Sequence, residues 1–158
     1  MSSPTQRTLA RPDSGQAGPG CTHELLLRLT IPGEPLPKQR ARVLRTGYSY
    51  TPARTRQAEE RIRLEVVAAR GPGRDLDDAP RALTLRFYRG TGRTADLDNL
   101  VKLVKDALNG IAWRDDRQVI QLHASRFDRQ ADPRSEIAVY RIIPLTAAQP
   151  EAHHQERE

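Results

Sequence analysis

The sequence predicts a single α/β (α+β) domain: a small mixed β-sheet of about four strands, two main helices, and flexible tails at both ends. Two observations carry the elements and a third their arrangement. Two segments alternate apolar and polar residues with period two, as half-buried strands do, and two more strand-like segments follow near the end of the chain. Two longer segments space their apolar residues by three and four, as core-facing helices do. The order is strand, basic loop, helix, strand, helix, strand, strand, which fits one sheet with helices packed on it. A length of 158 residues is enough for one buried core.

Residues 1–22 are rich in Ser, Pro, Gly, Gln and Thr and 146–158 are polar, so neither buries enough surface to stay ordered. The domain is therefore expected over 23–145. Its first strand spans 24–31, with Leu25, Leu27, Leu29 and Ile31 facing the core and Leu26, Arg28 and Thr30 facing away. Pro32-Gly33 stops it, and Pro35 and Pro37 keep the following loop irregular. Lys38, Arg40 and Arg42 alternate in that loop, so an extended chain presents all three to one side. Tyr48 and Tyr50 follow. Basic groups interleaved with aromatics suit a nucleic-acid backbone and an unstacked base; tyrosines packed on the domain are the equal alternative.

Thr51-Pro52 reads as a helix start, with threonine as N-cap and proline in the first turn. That helix runs to about residue 70, where Gly71-Pro72-Gly73 ends it, and its apolar face is Ala58, Ile62, Val66 and Ala69. In the next loop Asp75, Asp77 and Asp78 lack the glycine and distal glutamate of a calcium loop, so they read as turn residues. A strand over 83–88 follows, then the basic loop Arg89-Gly90-Thr91-Gly92-Arg93-Thr94. From 98 to 109 the stripe Leu100, Leu103, Val104, Ala107, Leu108, continued by Ile111, marks the second helix, which Asn109-Gly110 stops. Lys102, Lys105 and Asp106 lie off that stripe. Residues 119–127 and 136–143 read as the last two strands.

Composition removes several function classes. No apolar run approaches the ~20 residues of a membrane span, and the N-terminus lacks the pattern of a secretory signal. Cys21 is the only cysteine, which excludes an intrachain disulfide and a cysteine-built zinc site and fits a reducing cytoplasm. The net charge is +6, and residues 38–70 alone hold nine cations against three anions. That concentration is the footprint expected for a polyanion, nucleic acid before an anionic membrane.

The chemistry converges on Asp96-Leu97-Asp98-Asn99-Leu100-Val101-Lys102 and on Asp115-Asp116. Asp96 and Asp98 approach the helix in extended chain, so their side chains are expected on one side, with Lys102 one turn beyond Asp98. Asp115 or Asp116 folds back toward them if the next strand lies beside the previous one. Carboxylates without sulfur or a nearby core histidine favour Mg²⁺, with Mn²⁺ able to substitute. Such an ion activates water and clamps a phosphodiester, while a lysine stabilises charge on the phosphorane oxygens. The bland alternative makes Asp96 or Asp98 a helix cap, Asp98 and Lys102 an ordinary ion pair, and Asp115-Asp116 a turn.

Taken together, Asp96-Leu97-Asp98-Asn99-Leu100-Val101-Lys102, Asp106-Ala107-Leu108-Asn109-Gly110 and Trp113-Arg114-Asp115-Asp116-Arg117-Gln118-Val119 resemble the RusA family of Holliday-junction resolvases. The early Gly33-x-Pro35-x-Pro37-Lys38-x-Arg40-x-Arg42 resembles that family's N-terminal segment, so the likeness covers roughly residues 24–143. It implies a Mg²⁺-dependent endonuclease that nicks four-way-junction DNA symmetrically in recombination and repair, as a homodimer. It also implies Asp96, Asp98 and Asp116 as catalytic, metal-holding acids, Lys102 as the essential lysine, and Asp115 in support. DNA is expected on Lys38, Arg40, Arg42 and the Arg93 region. The competing class is a non-catalytic DNA-binding protein with structural carboxylates. A transferase using Asp-x-Asp ranks last, for the chain is short and has no glycine-rich phosphate loop.

Overall fold

The computed structural model describes residues 20–71, 76–92 and 95–145, without the side chain of Arg42. The expected tails lie outside these residues, apart from Gly20 to Thr22. Strand β1 (Cys21–Pro32) leads through the proline-rich loop to a short ribbon, β2 (Arg42–Val43) with β3 (Ser49–Tyr50), and then to helix α1 (Ala53–Arg70). Strand β4 (Arg81–Tyr88), helix α2 (Leu97–Leu108), a 3₁₀ turn (Asp116–Gln118), β5 (Val119–Phe127) and β6 (Arg134–Pro144) complete the domain. The main sheet runs β1-β6-β4-β5. β6 is antiparallel to β1 and β4, whereas β4 and β5 are parallel. A parallel neighbour cannot be reached by a tight turn, and α2 is the crossover that reaches it.

Leu83, Leu85 and Phe87 of β4, Ile137 and Val139 of β6, and Leu27 and Ile31 of β1 form the sheet's buried side. Against it α2 packs Leu100, Leu103, Val104, Ala107 and Leu108, and α1 packs Ile62 and Val66. Trp113 is wholly enclosed. The apolar stripe thus does what its spacing predicts, and Gly110 takes the positive φ (+77°) that lets the chain leave α2 sharply. No helix among the described residues is long and apolar enough to cross a membrane.

Four local expectations change. β1 begins at Cys21, because its backbone already pairs with Pro144 there. Leu25 is 46% exposed. Leu25 pairs with Tyr140 and Leu27 with Val139, leaving Leu26 as an extra residue, and such a bulge moves everything before it to the opposite face. In α1 the N-cap is Pro52, no side chain caps it, and the Pro52 carbonyl accepts the amides of Thr55 and Arg56. Ala69 is exposed. The inward position one turn after Val66 belongs instead to Arg70, whose guanidinium donates to the carbonyl of Ile111 at 2.8 Å.

Candidate active site

The first turn of α2 sits where β4 delivers the chain. Asp96 is the N-cap residue (φ −67°, ψ 133°) and Asp98 the second helical residue, so Asp98 is helical rather than extended. Neither acid caps the helix, since no side-chain cap bond forms. The side-chain amide of Asn99 donates to Asp96 Oδ2 at 3.2 Å. Asp98 and Lys102 are exposed, and among the described residues neither has an ion-pair partner. The cap and the i, i+4 pair that offered bland explanations are both absent here.

Backbone contacts fix this turn while leaving its side chains out. Arg126, from the far part of β5, donates to the carbonyl of Ala95, which is 6% exposed. The amide of Lys38 donates to the carbonyl of Asn99 at 2.9 Å, docking the proline-rich loop against the same turn. The Lys38 ammonium turns inward, 2.8 Å from Glu59 and bonded to Asp106. Burial opposes its charge, but the bonds to Asp106 and Glu59 outweigh burial and raise its pKa. Its charge therefore ties loop, α1 and α2 together instead of standing free for phosphate. Arg40 is exposed beside it. The side chain of Arg42 and all of Arg93 lie outside the described residues. Tyr48 (68% exposed) and Tyr50 (37%) stand out on the β2–β3 ribbon rather than packing into the core.

The second acidic pair lies at the other end of α2. Asp116 Oδ1 accepts the Trp113 indole N–H at 2.9 Å, and Asp116 Oδ2 lies 3.9 Å from Lys105. Asp115 caps the 3₁₀ turn: it accepts the Arg117 amide at 2.9 Å, while Gln118 Oε1 accepts the Asp115 amide at 3.1 Å. Gln118 also donates to the carbonyls of Asp77 and Ala79, locking the turn to the start of β4. Lys105 is seven residues past Asp98, an axial rise of about 10 Å at ~1.5 Å per residue. The chain therefore gathers Asp96, Asp98 and Lys102 at one end and Asp116 with Lys105 at the other. Among the described residues no three His, Cys, Asp or Glu side chains converge as a metal cluster. The oxygen-only donors match a hard cation in chemistry, but a single chain does not assemble all three acids.

Sequence reasoning did not anticipate Lys105 and the indole of Trp113 as the groups beside Asp116, or Arg126 as the group that holds the backbone before Asp96. Trp113, the sole tryptophan and three residues before Asp116, carried a readable signal. Arg126 carried none, because its partner is a backbone carbonyl brought close only by the crossover.

With this geometry in hand, comparison with known proteins is specific. A family model described as Endodeoxyribonuclease RusA matches residues 32–140, more than half of the chain, from the end of β1 into β6. An uncharacterized Bacillus subtilis (strain 168) protein, YqaN, is 26% identical over 140 residues, covering 73% of this chain and 96% of that protein. The chain belongs to the RusA endodeoxyribonuclease family.

Proposed function

We propose that this RusA-family nuclease resolves four-way DNA junctions by paired, cation-dependent nicks, working as a homodimer. The observation that carries the reading is the start of α2, where Asp96, Asp98 and Lys102 are exposed and neither acid caps the helix. Mg²⁺, or Mn²⁺ in its place, would be held by Asp96 and Asp98 with Asp116 as third acid. When bound it supplies water activation and charge neutralisation on the phosphodiester. Lys102, on the same exposed surface, faces the negative charge that grows on the non-bridging oxygens. Arg40 extends the electropositive rim for the DNA backbone.

The separation of Asp116 from the other acids supports a site completed between two chains. β5 is an edge strand, and Ile120 (62% exposed) and Leu122 (50%) lie uncovered on it. Long apolar edges invite a second strand. Antiparallel pairing of two β5 strands would carry the start of one, where Asp116 sits, toward the end of the other, where Arg126 holds Ala95. A two-fold dimer would also match the two-fold symmetry of the junction. The non-catalytic alternative requires acids that cap and turn the chain. Asp115 does so, but Asp96 and Asp98 do not.

The test is a nicking assay on a synthetic four-way junction beside a linear duplex of the same sequence. Symmetric nicks in the junction alone, present with Mg²⁺ and absent with excess chelator, are expected. Cutting that persists in chelator, or that treats both substrates alike, refutes the proposal.

A further inference from the structure

One element of the chain is used by neither the core nor the acid-bearing turn. The β2–β3 ribbon forms a two-stranded sheet of its own, apart from the β5 edge where a second chain would pair. Arg42 pairs with Tyr50 and Val43 with Ser49. The Leu44 amide donates to the Tyr48 carbonyl at 2.8 Å and the Gly47 amide to the Leu44 carbonyl at 2.9 Å, closing the tip. Gly47 takes the positive φ (+80°) that so tight a turn requires. Side chains alternate along a strand, so Leu44, Tyr48 and Tyr50 share one face and Val43 and Ser49 the other.

Neither face is covered. Val43 is 69% exposed and Leu44 49%, beside the two exposed tyrosines. Among the described residues no ring contact or side-chain hydrogen bond holds either tyrosine. A two-stranded ribbon is marginal in water by itself. Four large apolar or aromatic side chains without cover mark a contact surface rather than a solvated loop.

Charge selects the occupant. Residues 39–58 contain five arginines and no acid. Arg40, Arg45, Arg54 and Arg56 are exposed, and Glu59, the next acid in the chain, is held by Lys38. A stretch of this kind repels a second copy of itself and fits a polyanion. The ribbon is also rooted beside the acids. The Lys38 amide is docked on the first turn of α2, and Arg42 follows four residues later, at most about 13 Å of chain at ~3.3 Å per residue. The Gln39 amide donates to Thr55 Oγ1 at 3.4 Å, joining the same root to α1.

We propose that the β2–β3 ribbon is a DNA-contacting arm. Tyr48, with Tyr50 and Leu44 on the same face, stacks on a base left unpaired at the branch of the substrate, while Arg40 and Arg45 hold the flanking phosphates. This deepens the proposed function and rests on DNA as the ligand, but not on any metal. Base faces are hidden in continuous duplex and open only where stacking is broken, so the arm favours branched over linear DNA. The stacking tolerates every base, because each has a π-face.

The test uses the full chain in chelator, titrated at several salt concentrations against a synthetic four-way junction and a linear duplex of the same length. Tyr48→Ala should bind the junction about tenfold more weakly, with duplex affinity and the slope of log affinity against log salt unchanged. Tyr48→Trp should keep wild-type affinity. Arg45→Ala should weaken both complexes and reduce the salt slope by about one. Melting temperature checks that each variant is folded. Unchanged junction affinity in folded Tyr48→Ala overturns the arm, and the nuclease reading survives it if wild type still nicks the junction with Mg²⁺. Equal weakening on both DNAs puts the ring on the backbone and overturns base stacking. An altered oligomeric state with unaltered DNA binding overturns the arm in favour of a contact between copies. Failure of wild type to bind either DNA overturns the arm and the nuclease reading together.

Discussion

The two ends of α2 carry the same residue types and hold them in opposite ways. At the N-terminal end Asp96, Asp98 and Lys102 face solvent; Arg126 and Lys38 hold the backbone there, and the Asn99 side-chain amide donates to Asp96. At the C-terminal end Asp116 is bonded to the Trp113 indole and lies near Lys105, and Asp115 is consumed by the turn it caps. An acid whose oxygens are already occupied builds structure or waits in a fixed orientation. An acid left open beside an open lysine has no structural job, which is why the N-terminal turn carries the functional reading.

The largest effect should come from the open end. Asp98→Asn is expected to lower junction cleavage on the order of 10²–10³-fold, the scale of losing one transition-state contact, with junction affinity unchanged in a gel-shift titration. A parallel loss of affinity would mean that Asp98 is structural. Next in size is the relation between the ends. Asp98→Asn and Asp116→Asn chains, each inactive alone, should regain single-strand nicking when co-assembled, because one site per mixed dimer then holds three native acids. No recovery would return Asp116 to its own chain's site.

At the held end, Trp113→Ala should destabilise the fold by about 3–5 kcal/mol in urea denaturation, since the indole is both enclosed and bonded. A loss under about 1 kcal/mol would show that end to be less anchored than the contacts imply.

The smallest effects are in pH. Burial pushes the Asp77 pKa upward, but bonds to Arg81, the Ala79 amide and Arg141 outweigh it, leaving it below 3.8. Its contribution is thus present above pH 3.8 and lost as pH falls through the lower folded value. Lys38 runs the other way: its pKa is raised above 10.5, so its contribution holds below that pH and fades as pH climbs through the folded value. Melting curves of Asp77→Asn should lose part of the acid limb and those of Lys38→Met part of the alkaline limb. Limbs matching wild type would remove the corresponding ion pair from the account.

The parts legible in sequence were those written in local periodicity. The stripe from Leu100 to Leu108 named the buried side of α2, and Leu83, Leu85 and Phe87 that of β4, because each element meets the core along its whole length. The bulge at Leu26 was invisible, since one inserted residue leaves the leucine pattern intact while reversing its facing. Lys38 read as a free cation because Glu59 and Asp106, on two different helices, reach it only in the folded chain. Asp116 read as a neighbour of Asp98 because the motif is compact in sequence. The parallel crossover instead starts β5 beside the far end of α2.

The interior place of β6 has a consequence for how the chain reaches this state. β1 hydrogen-bonds only to β6 in the sheet, and β6 is the last of the described strands to be synthesised. The first strand must therefore wait, unpaired, until the segment joining it to β4 has emerged, and its closing contact runs from Leu145 back to Gly20. Contacts between segments this far apart in sequence are the slow kind, because the loop-closure entropy comes due before any pairing offsets it. Until β6 inserts, β1 is a sticky orphan and β4 has an open side, so the interval before that insertion is when a nascent chain is most exposed to mispairing.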